Sequence, residues 1–355
     1  MEEYLTMSNR EIDRLRVIKN VLDKRLTWKE AATQLFLSDR QIGRLVKKVK
    51  EEGSKGIIHG LRGKPSNNQL EPLLLEAAID LVKSRYSDFK PTFANEKLLK
   101  IHHIKISTPT LRKAMVKEGL WRERPKKPKH RTWRPRRSCV GEMVQLDGSE
   151  HDWFEGRAPR CVLLIFIDDA TSKILFGKFI SVEDTFNLML AAKEYLLLNG
   201  RPISFYVDKD SIYKTNRQAT IEEELRDEHP LTQFSRAMKE LGIEMINAHS
   251  PQAKGRVERS FGTHQDRLVK ELRLREISDM QTANEYLQKI YIPEHNAKFA
   301  VAPANPLNAH RPLLKEHRLE EILSLKVERS VFNDYTVRFK NRFFQILPEQ
   351  KVRIR

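Results

Sequence analysis

Apolar and polar positions follow different patterns in the two parts of this chain. Residues 9–50 carry apolar side chains at helical spacing, which predicts three helices. Two four-residue segments, TWKE at 27–30 and SDRQ at 38–41, have the order of a capping box, so we expect the second and third helices to begin there. One short helix and a tight turn fit between the two caps. This spacing predicts a helix-turn-helix domain over residues 1–59.

A second helical unit of the same kind follows. The pattern predicts a helix over roughly residues 70–86, a helix from Thr92 to about Lys100, and a third helix that opens at Thr108 with Pro109 in its first position. We therefore expect a second helix-turn-helix domain over residues 69–121.

Two basic segments flank this second unit. Residues 60–68, GLRGKPSNN, are rich in glycine, proline and polar side chains and cannot continue a helix. They are either a plain linker or an arm in a DNA minor groove, where Arg62 and Lys64 would meet a concentrated negative potential. Residues 122–137 hold nine Lys or Arg, one Glu and three prolines, which predicts an extended tether along phosphates that includes Arg131 and Arg134.

From residue 138 the pattern becomes that of an α/β domain. A continuous apolar run at 161–167 is typical of a strand buried on both faces. The predicted elements are strands over 140–146, 161–167 and 174–180, a helix over 182–198, a strand over 203–207, a helix around 231–241, a strand over 243–247 and a long helix from near Lys254. This order is compatible with a ribonuclease-H-like core over residues 138–295, in which the first and fourth strands are neighbours.

The last residues predict a small β structure. A breaker segment at 302–306 and a short helix at 319–325 precede three strands, over 331–339, 342–347 and 351–355. We expect residues 296–355 to form a linker and the start of a C-terminal β-barrel, incomplete here because no closing turn follows the last strand.

Length and charge sharpen this division. The 355 residues suffice for two or three domains, and the net charge is +17 with a pI near 9.7. Residues 1–137 hold 33 Lys and Arg against 16 Asp and Glu, whereas residues 138–355 are balanced. A basic first part joined to a neutral second part indicates a polyanion-binding unit attached to something else.

Other features limit the class of protein. Cys139 and Cys161 are too few for a disulfide framework or a cysteine zinc site, which fits a reducing compartment. The sequence has no run of 18 apolar residues and no signal-peptide pattern at its beginning. We therefore expect a soluble, cytoplasmic protein that does not bind membranes, and nucleic acid as its acidic partner.

The predicted recognition helices supply candidate contacts to double-stranded DNA. Their long donors could reach base edges near the start of a helix and phosphates further along. The alternative is a helical bundle with a solvated basic face. The candidates are Arg40, Gln41, Arg44, Lys47 and Lys48 in the first unit and Arg112, Lys113 and Lys117 in the second.

Three acidic residues occupy informative places in the α/β outline. Asp147 is predicted to end the first strand, Asp208 ends the fourth, and Glu258 falls in the first turns of the last helix. Alone, each would be an ordinary turn or cap residue, but on this topology we expect the three to meet at one end of the sheet. Asp168 and Asp169 also follow a strand, yet the turn sequence after them predicts hairpin chemistry.

Such a cluster has a chemical requirement. Three carboxylates within a few Å repel one another unless cations neutralise them. Oxygen ligands favour Mg²⁺ or Mn²⁺, and two ions about 4 Å apart can activate the attacking oxygen and stabilise the leaving oxygen at phosphorus. We therefore predict a two-ion phosphoryl-transfer site.

These residues and the block SPQAKGRVER at 250–259 resemble the DDE transposases and retroviral-type integrases, over nearly the whole chain. The closest likeness is to bacterial insertion-sequence transposases of the kind classed as ISNCY. By motif position, the metal-binding Asp, Asp and Glu of that family correspond to Asp147, Asp208 and Glu258. Lys209 and Asp210 replace the Asn-Gly of many relatives, which makes Asp210 a rival to Asp208, and Gln265 replaces a Lys or Arg.

The resemblance implies a transposase that binds terminal inverted repeats and cuts at the ends with metal-activated water. The freed 3′-hydroxyl then attacks target DNA. It also implies a homodimer or larger assembly on DNA, associated with the bacterial nucleoid, with Lys254 and Arg256 near the DNA. Two alternatives remain: a DNA-binding regulator with an inactive core, and a metal-dependent nuclease that does not join ends.

Overall fold

The computed structural model of this chain contains two compact units, Met1–Glu123 and Arg124–Arg355, which are described separately. The structure describes residues 5–63, 70–123, 135–208, 210–213, 215, 217, 230–248 and 255–347. Within those ranges, no helix has both the length and the apolar character that a membrane span requires.

The first unit opens with the three predicted helices. They are α1 (Asn9–Leu22), α2 (Trp28–Leu35) and α3 (Asp39–Glu52). Both predicted capping boxes form, at Thr27 and Ser38, and satisfy backbone donors that the helix itself leaves without partners. The core between the helices includes Ile18, Ala31, Ile42 and Val46.

The second half of this unit holds α4 (Pro72–Arg85), α5 (Pro91–His102) and α6 (Thr108–Lys117). The start of α6 differs from the prediction by one residue. Ser107 is the cap, because its Oγ accepts a hydrogen bond from the Thr110 backbone N–H at 3.2 Å, and Thr108 is already helical.

The second unit is built on a five-stranded mixed sheet. Its strands are β1 (Met143–His151), β2 (Cys161–Asp168), β3 (Ile174–Ile180), β4 (Ser204–Val207) and β5 (Glu244–Asn247). Their spatial order is β3-β2-β1-β4-β5, in which β2 is antiparallel to both β1 and β3, β4 is parallel to β1, and β5 is parallel to β4. This mixed sheet with helices on both faces fits a ribonuclease-H-like fold.

Helices cover both faces because successive residues of β2 point to opposite sides. Leu164 and Phe166 pack beneath α7 (Thr185–Asn199) and α8 (Gln233–Glu240). Leu163 and Ile165 face α9 (Gly255–Leu274) and the helical stretch after it. That stretch consists of α10 (Met280–Tyr286), a π-helical turn (Leu287–Tyr291) and α11 (Ile292–Phe299).

The first strand is longer than predicted. Asp147 lies in the middle of β1, since residues 148–151 pair with residues 161–164 of β2. The prediction that Asp147 ends its strand was therefore wrong where β1 pairs with its antiparallel neighbour β2. It holds on the parallel side, where the partner β4 stops at Val207.

After α11 the chain returns along the second unit. The Ala309 N–H donates to the Val140 carbonyl at 2.7 Å, and Arg201 and Arg311 exchange two backbone hydrogen bonds of 2.8 Å. A one-turn helix, α12 (Leu319–Ile322), and a hairpin of β6 (Thr336–Phe339) and β7 (Arg342–Gln345) follow. The predicted strand over 351–355 lies outside the described residues, so the β-barrel stays a prediction.

Candidate active site

The pairing of β1 with β4 brings two of the predicted carboxylates together. These parallel strands pair Met143 with Ser204 and Gln145 with Tyr206. Continued by two residues, the same register places Asp208, the first residue after β4, opposite Asp147. Both residues are partly exposed. They therefore lie side by side at the open end of the parallel pair.

The turn after β4 separates Asp208 from its rival Asp210. The Asp210 backbone N–H donates to Asp208 Oδ1 at 3.0 Å. Asp210 Oδ1 in turn accepts from the Ile212 N–H at 3.0 Å and from Ser211 Oγ at 3.2 Å. Since Asp210 serves its own exposed turn, the geometry favours Asp208 as the partner of Asp147.

Sequence reasoning missed a fourth carboxylate, Glu183. Burial, together with the negative charges of Asp147, of Asp208 and, with the smallest effect, of Asp210, raises the pKa of Glu183 from 4.5 to about 7. The Tyr213 hydroxyl donates to Glu183 Oε1 at 3.4 Å. A Cβ on Gly148 would lie 2.1 Å from Glu183 Oε2, so glycine at that position leaves room for this carboxylate. The glycine directly after Asp147 and the acid just beyond a strand end were the available signals.

Glu258 lies on the helix that covers the same side of β1. It is exposed in the first turn of α9. Seven residues later on this helix, Gln265 Nε2 donates to Ser149 Oγ at 3.2 Å. Ser149 and Asp147 are two positions apart on β1 and share one face. The helix face that carries Glu258 and Gln265 is therefore turned toward the face of β1 that carries Asp147 and Ser149.

A second contact fixes the direction of α9. Arg256 forms an ion pair with Asp169, and the same carboxylate accepts from Gln145 Nε2 at 2.7 Å. From residue 256 to 265 the helix advances about 13.5 Å, and from 145 to 149 the strand advances about 13 Å. Helix and strand thus run side by side between the two contacts, and Glu258 and Asp147 both fall within that interval.

The side chains of Asp147, Asp208, Glu183 and Glu258 offer carboxylate oxygens. Within the part of the chain that the structure describes, no three His, Cys, Asp or Glu residues form a ready-made metal cluster. Asp147 and Asp208 are neighbours, and Glu258 stands on the facing helix. Carboxylate oxygens without nitrogen or sulfur donors suit Mg²⁺ or Mn²⁺.

The predicted DNA contacts on α3 and α6 lie in solvent. All eight side chains belong to exposed residues of α3 or α6, and Gln41 also completes the Ser38 capping box. They are Arg40, Gln41, Arg44, Lys47, Lys48, Arg112, Lys113 and Lys117. Their exposure is compatible with either alternative, a DNA-binding surface or a solvated face.

Two other predicted contacts lie in ion pairs within the protein. Arg62 donates to Glu11 at 2.6 Å and to the Thr6 carbonyl at 3.1 Å. The side chain of Arg256 is only 11% exposed and pairs with Asp169, which is fully buried. The pattern suggested surface cations, but each guanidinium is used to satisfy a carboxylate. Lys64, Arg131, Arg134 and Lys254 lie outside the described residues.

Two curated proteins are similar to most of this chain. The protein y4bF of Sinorhizobium fredii, named as a transposase, is 40% identical over 339 residues, which is 95% of this chain and 73% of that protein. The transposase for insertion sequence IS1202 of Streptococcus pneumoniae is 30% identical over 366 aligned residues, 92% of this chain and 76% of that protein. No family model matches the sequence.

Solved structures are similar at a lower level. A chain of a simian T-cell lymphotropic virus intasome has a TM-score of 0.34 at 16% identity, over 55% of this chain and 66% of that chain. The HTLV-2 integrase catalytic core domain in complex with magnesium, in its trimeric form, has a TM-score of 0.32 at 14% identity, over 41% of this chain and 82% of that chain.

Proposed function

Since the chain belongs to the same transposase family as these two relatives, we propose that it is a DNA transposase that binds terminal inverted repeats and catalyses metal-dependent cleavage and strand transfer. The observation that carries the chemistry is the register that sets Asp147 beside Asp208, with Glu258 on the helix that runs along the same strand. The reaction class is polynucleotidyl transfer, in which a phosphodiester bond is hydrolysed and a new one forms.

Asp147, Asp208 and Glu258 are the residues that would hold two Mg²⁺ or Mn²⁺ ions. When bound, the ions supply positive charge that activates the attacking oxygen and stabilises the leaving oxygen. The chain itself supplies the anionic pocket. Asp147 lies on β1 and Asp208 directly after β4, and the half-buried Glu183 is close enough to both that their charges help to raise its pKa.

The first unit supplies the DNA-binding surface in this proposal. Arg40, Gln41 and Arg44 lie in the first half of α3, where side chains can reach base edges, and Lys47 and Lys48 lie further along toward phosphates. The exposed cations of α6 add a second set of contacts. Because strand transfer pairs two ends of one element, we propose a homodimer or larger assembly on DNA.

The test is a labelled terminal-repeat duplex incubated with Mg²⁺ and a target DNA. We expect the parent to cut and join, and Asp147→Asn, Asp208→Asn and Glu258→Gln each to lose about 100-fold or more in rate, because a metal ligand is removed. Asp210→Asn is the matched control, since that side chain caps its own turn, and it should retain activity.

The outcomes separate the candidate functions. Full activity in the three carboxylate variants would overturn the assignment of the site. A parent protein that cuts but never joins would be a nuclease, and one that binds the repeats without cutting would be a regulator.

A further inference from the structure

One buried carboxylate connects three segments that surround the proposed site. Asp169 follows β2 directly and is 0% exposed. It accepts hydrogen bonds from Gln145 Nε2 at 2.7 Å, from the Arg137 backbone N–H at 3.0 Å and from Arg256 Nη1. Gln145 is also fully buried, so this group of contacts lies inside the second unit.

The ion pair constrains the first turn of α9. A carboxylate without solvent is costly unless a cation and further donors satisfy it, and here Arg256 supplies the cation. The first turn of a helix has backbone N–H groups without partners in the helix, and helix ends fray. A buried side-chain tie at Arg256 therefore restricts the part of α9 that would otherwise be least fixed.

The positions of the contacting residues give this tie its meaning. Gln145 lies two residues before Asp147 on β1, and Arg256 lies two residues before Glu258 on α9. Both are held by the one carboxylate of Asp169. The separation between the backbones that carry Asp147 and Glu258 is therefore set through Asp169.

We propose that Asp169 is a positioning residue that, through Arg256 and Gln145, holds Glu258 in place relative to Asp147. The proposal rests on the proposed function, because it concerns the same three carboxylates. It assigns Arg256 a role inside the protein in place of a direct contact with DNA. It also separates Asp169 from its neighbour Asp168, which accepts from the Thr171 N–H at 2.8 Å in the turn and from the Gly141 N–H at 2.9 Å, and, among the described residues, not from α9.

The variants are Asp169→Asn and Arg256→Gln, which remove one charge of the pair, and Arg256→Lys, which keeps the charge. The matched control is Arg275→Gln, because Arg275 pairs with the buried Glu271 on the same helix, far from Glu258. If the two ion pairs only stabilise the fold, loss of the Asp169–Arg256 pair and loss of the Glu271–Arg275 pair should affect metal binding and activity equally. If Asp169 positions Glu258, only the first pair should affect the site.

The first measurement is hydrogen exchange of the full chain without metal or DNA. We expect amides of residues 258–265 to exchange about 10-fold faster in Asp169→Asn and Arg256→Gln, with residues 266–274 unchanged. In Arg275→Gln we expect faster exchange at residues 266–274 and unchanged exchange at residues 258–265. Unchanged exchange at residues 258–265 would overturn the positioning role, whether or not the parent is a transposase.

The second measurement is Mn²⁺ binding by titration calorimetry, with the cleavage rate constant and the affinity for the repeat duplex measured in parallel. Asp169→Asn and Arg256→Gln should lose about 10- to 100-fold in Mn²⁺ affinity and in rate constant, with DNA affinity unchanged. Arg256→Lys should recover part of the loss, and Arg275→Gln should match the parent. An equal loss in Arg275→Gln would overturn the proposal. If the parent neither binds Mn²⁺ nor cuts DNA, while the variants still show the expected changes in hydrogen exchange, the proposed function alone is overturned.

Discussion

At the scale of single residues, the site depends on acids whose surroundings differ. Asp147 and Asp208 could be singled out from the sequence, because the predicted strands and the family resemblance both point to them, and their role as metal ligands remains a prediction. Glu183 could not, since its burial depends on how the turn after β3 folds against Gly148. Asp168 fulfils the predicted turn role, but Asp169, next to it, binds Arg256 from a segment 87 residues away in sequence. Local sequence carries no signal for such a contact.

Glu183→Gln should stabilise the protein at neutral and alkaline pH. Folding raises the pKa of Glu183 from its ordinary value of 4.5 to about 7, so the folded state holds the proton more tightly. The tighter binding of this proton stabilises the folded state fully below pH 4.5, and the stabilisation is lost as the pH rises through 7. We expect a gain of about 1 to 2 kcal/mol at pH 8 after allowance for partial exposure, and little change at pH 4.

The measurement is urea unfolding of parent and variant at pH 4 and pH 8, with EDTA present to exclude metal ions. Tyr213→Phe, which removes the hydroxyl but no carboxylate, is the control and should lack the pH-dependent gain. The interpretation fails if the difference between parent and Glu183→Gln is the same at both pH values.

At the scale of elements, the sequence predicts a helix or strand correctly where the interactions that form it lie close together along the chain. The starts of α2 and α3 were predicted because a capping box lies within four residues. The length of β1 was not, since Gly148 and Ser149 become strand residues only by pairing with β2. The helices between Met280 and Phe299 also escaped prediction. Their buried residues complete a core formed with α9 and the sheet.

Gly56→Ala should destabilise the first unit. A 3₁₀ turn, Gly53–Ile57, folds back on α3, and a Cβ on Gly56 would lie 2.6 Å from the Lys48 carbonyl oxygen. Backbone must shift to relieve that clash, so we expect a loss of about 1 to 3 kcal/mol. Gly60→Ala is the control, because nothing lies within 4 Å of its Cβ.

Thermal unfolding and affinity for the repeat duplex, measured well below the transition, test this prediction. The Gly56→Ala variant should unfold at a temperature several degrees below that of the parent and should still bind DNA when folded. Equal transition temperatures for the two alanine variants would show that the turn tolerates the added methyl group.

At the scale of the whole molecule, the charge division predicted from sequence assigns DNA attraction to the first part. The net charge of +17 comes from residues 1–137, and the described cations of α3 and α6 are exposed. Replacing Arg44, Lys47 and Lys48 together by Gln should lower the salt slope of DNA affinity by about 2 to 3, since each phosphate contact contributes about 0.9. Arg44→Ala alone should cost about 1 to 3 kcal/mol if it reads a base.

A variant with the same loss of charge elsewhere is the control. Lys289, Lys315 and Arg318 are exposed residues of the second unit, and their replacement by Gln should leave the slope nearly unchanged. Filter binding to the repeat duplex across a range of KCl concentrations gives both slopes. Equal slopes for the two triple variants would mean that net charge, rather than the helices of the first unit, attracts the DNA.

The return of the chain along the second unit also affects how such a domain can be exchanged between proteins. The Ser138 carbonyl accepts from the Asn305 N–H at 3.0 Å, next to the bond between Val140 and Ala309. The chain therefore enters this unit beside residues 305–309, and the segment after them stays packed on it, since Leu319 lies in the core with α7 and α8. A unit exchanged between proteins would therefore have to run from residue 138 to beyond Leu319 to keep this core complete.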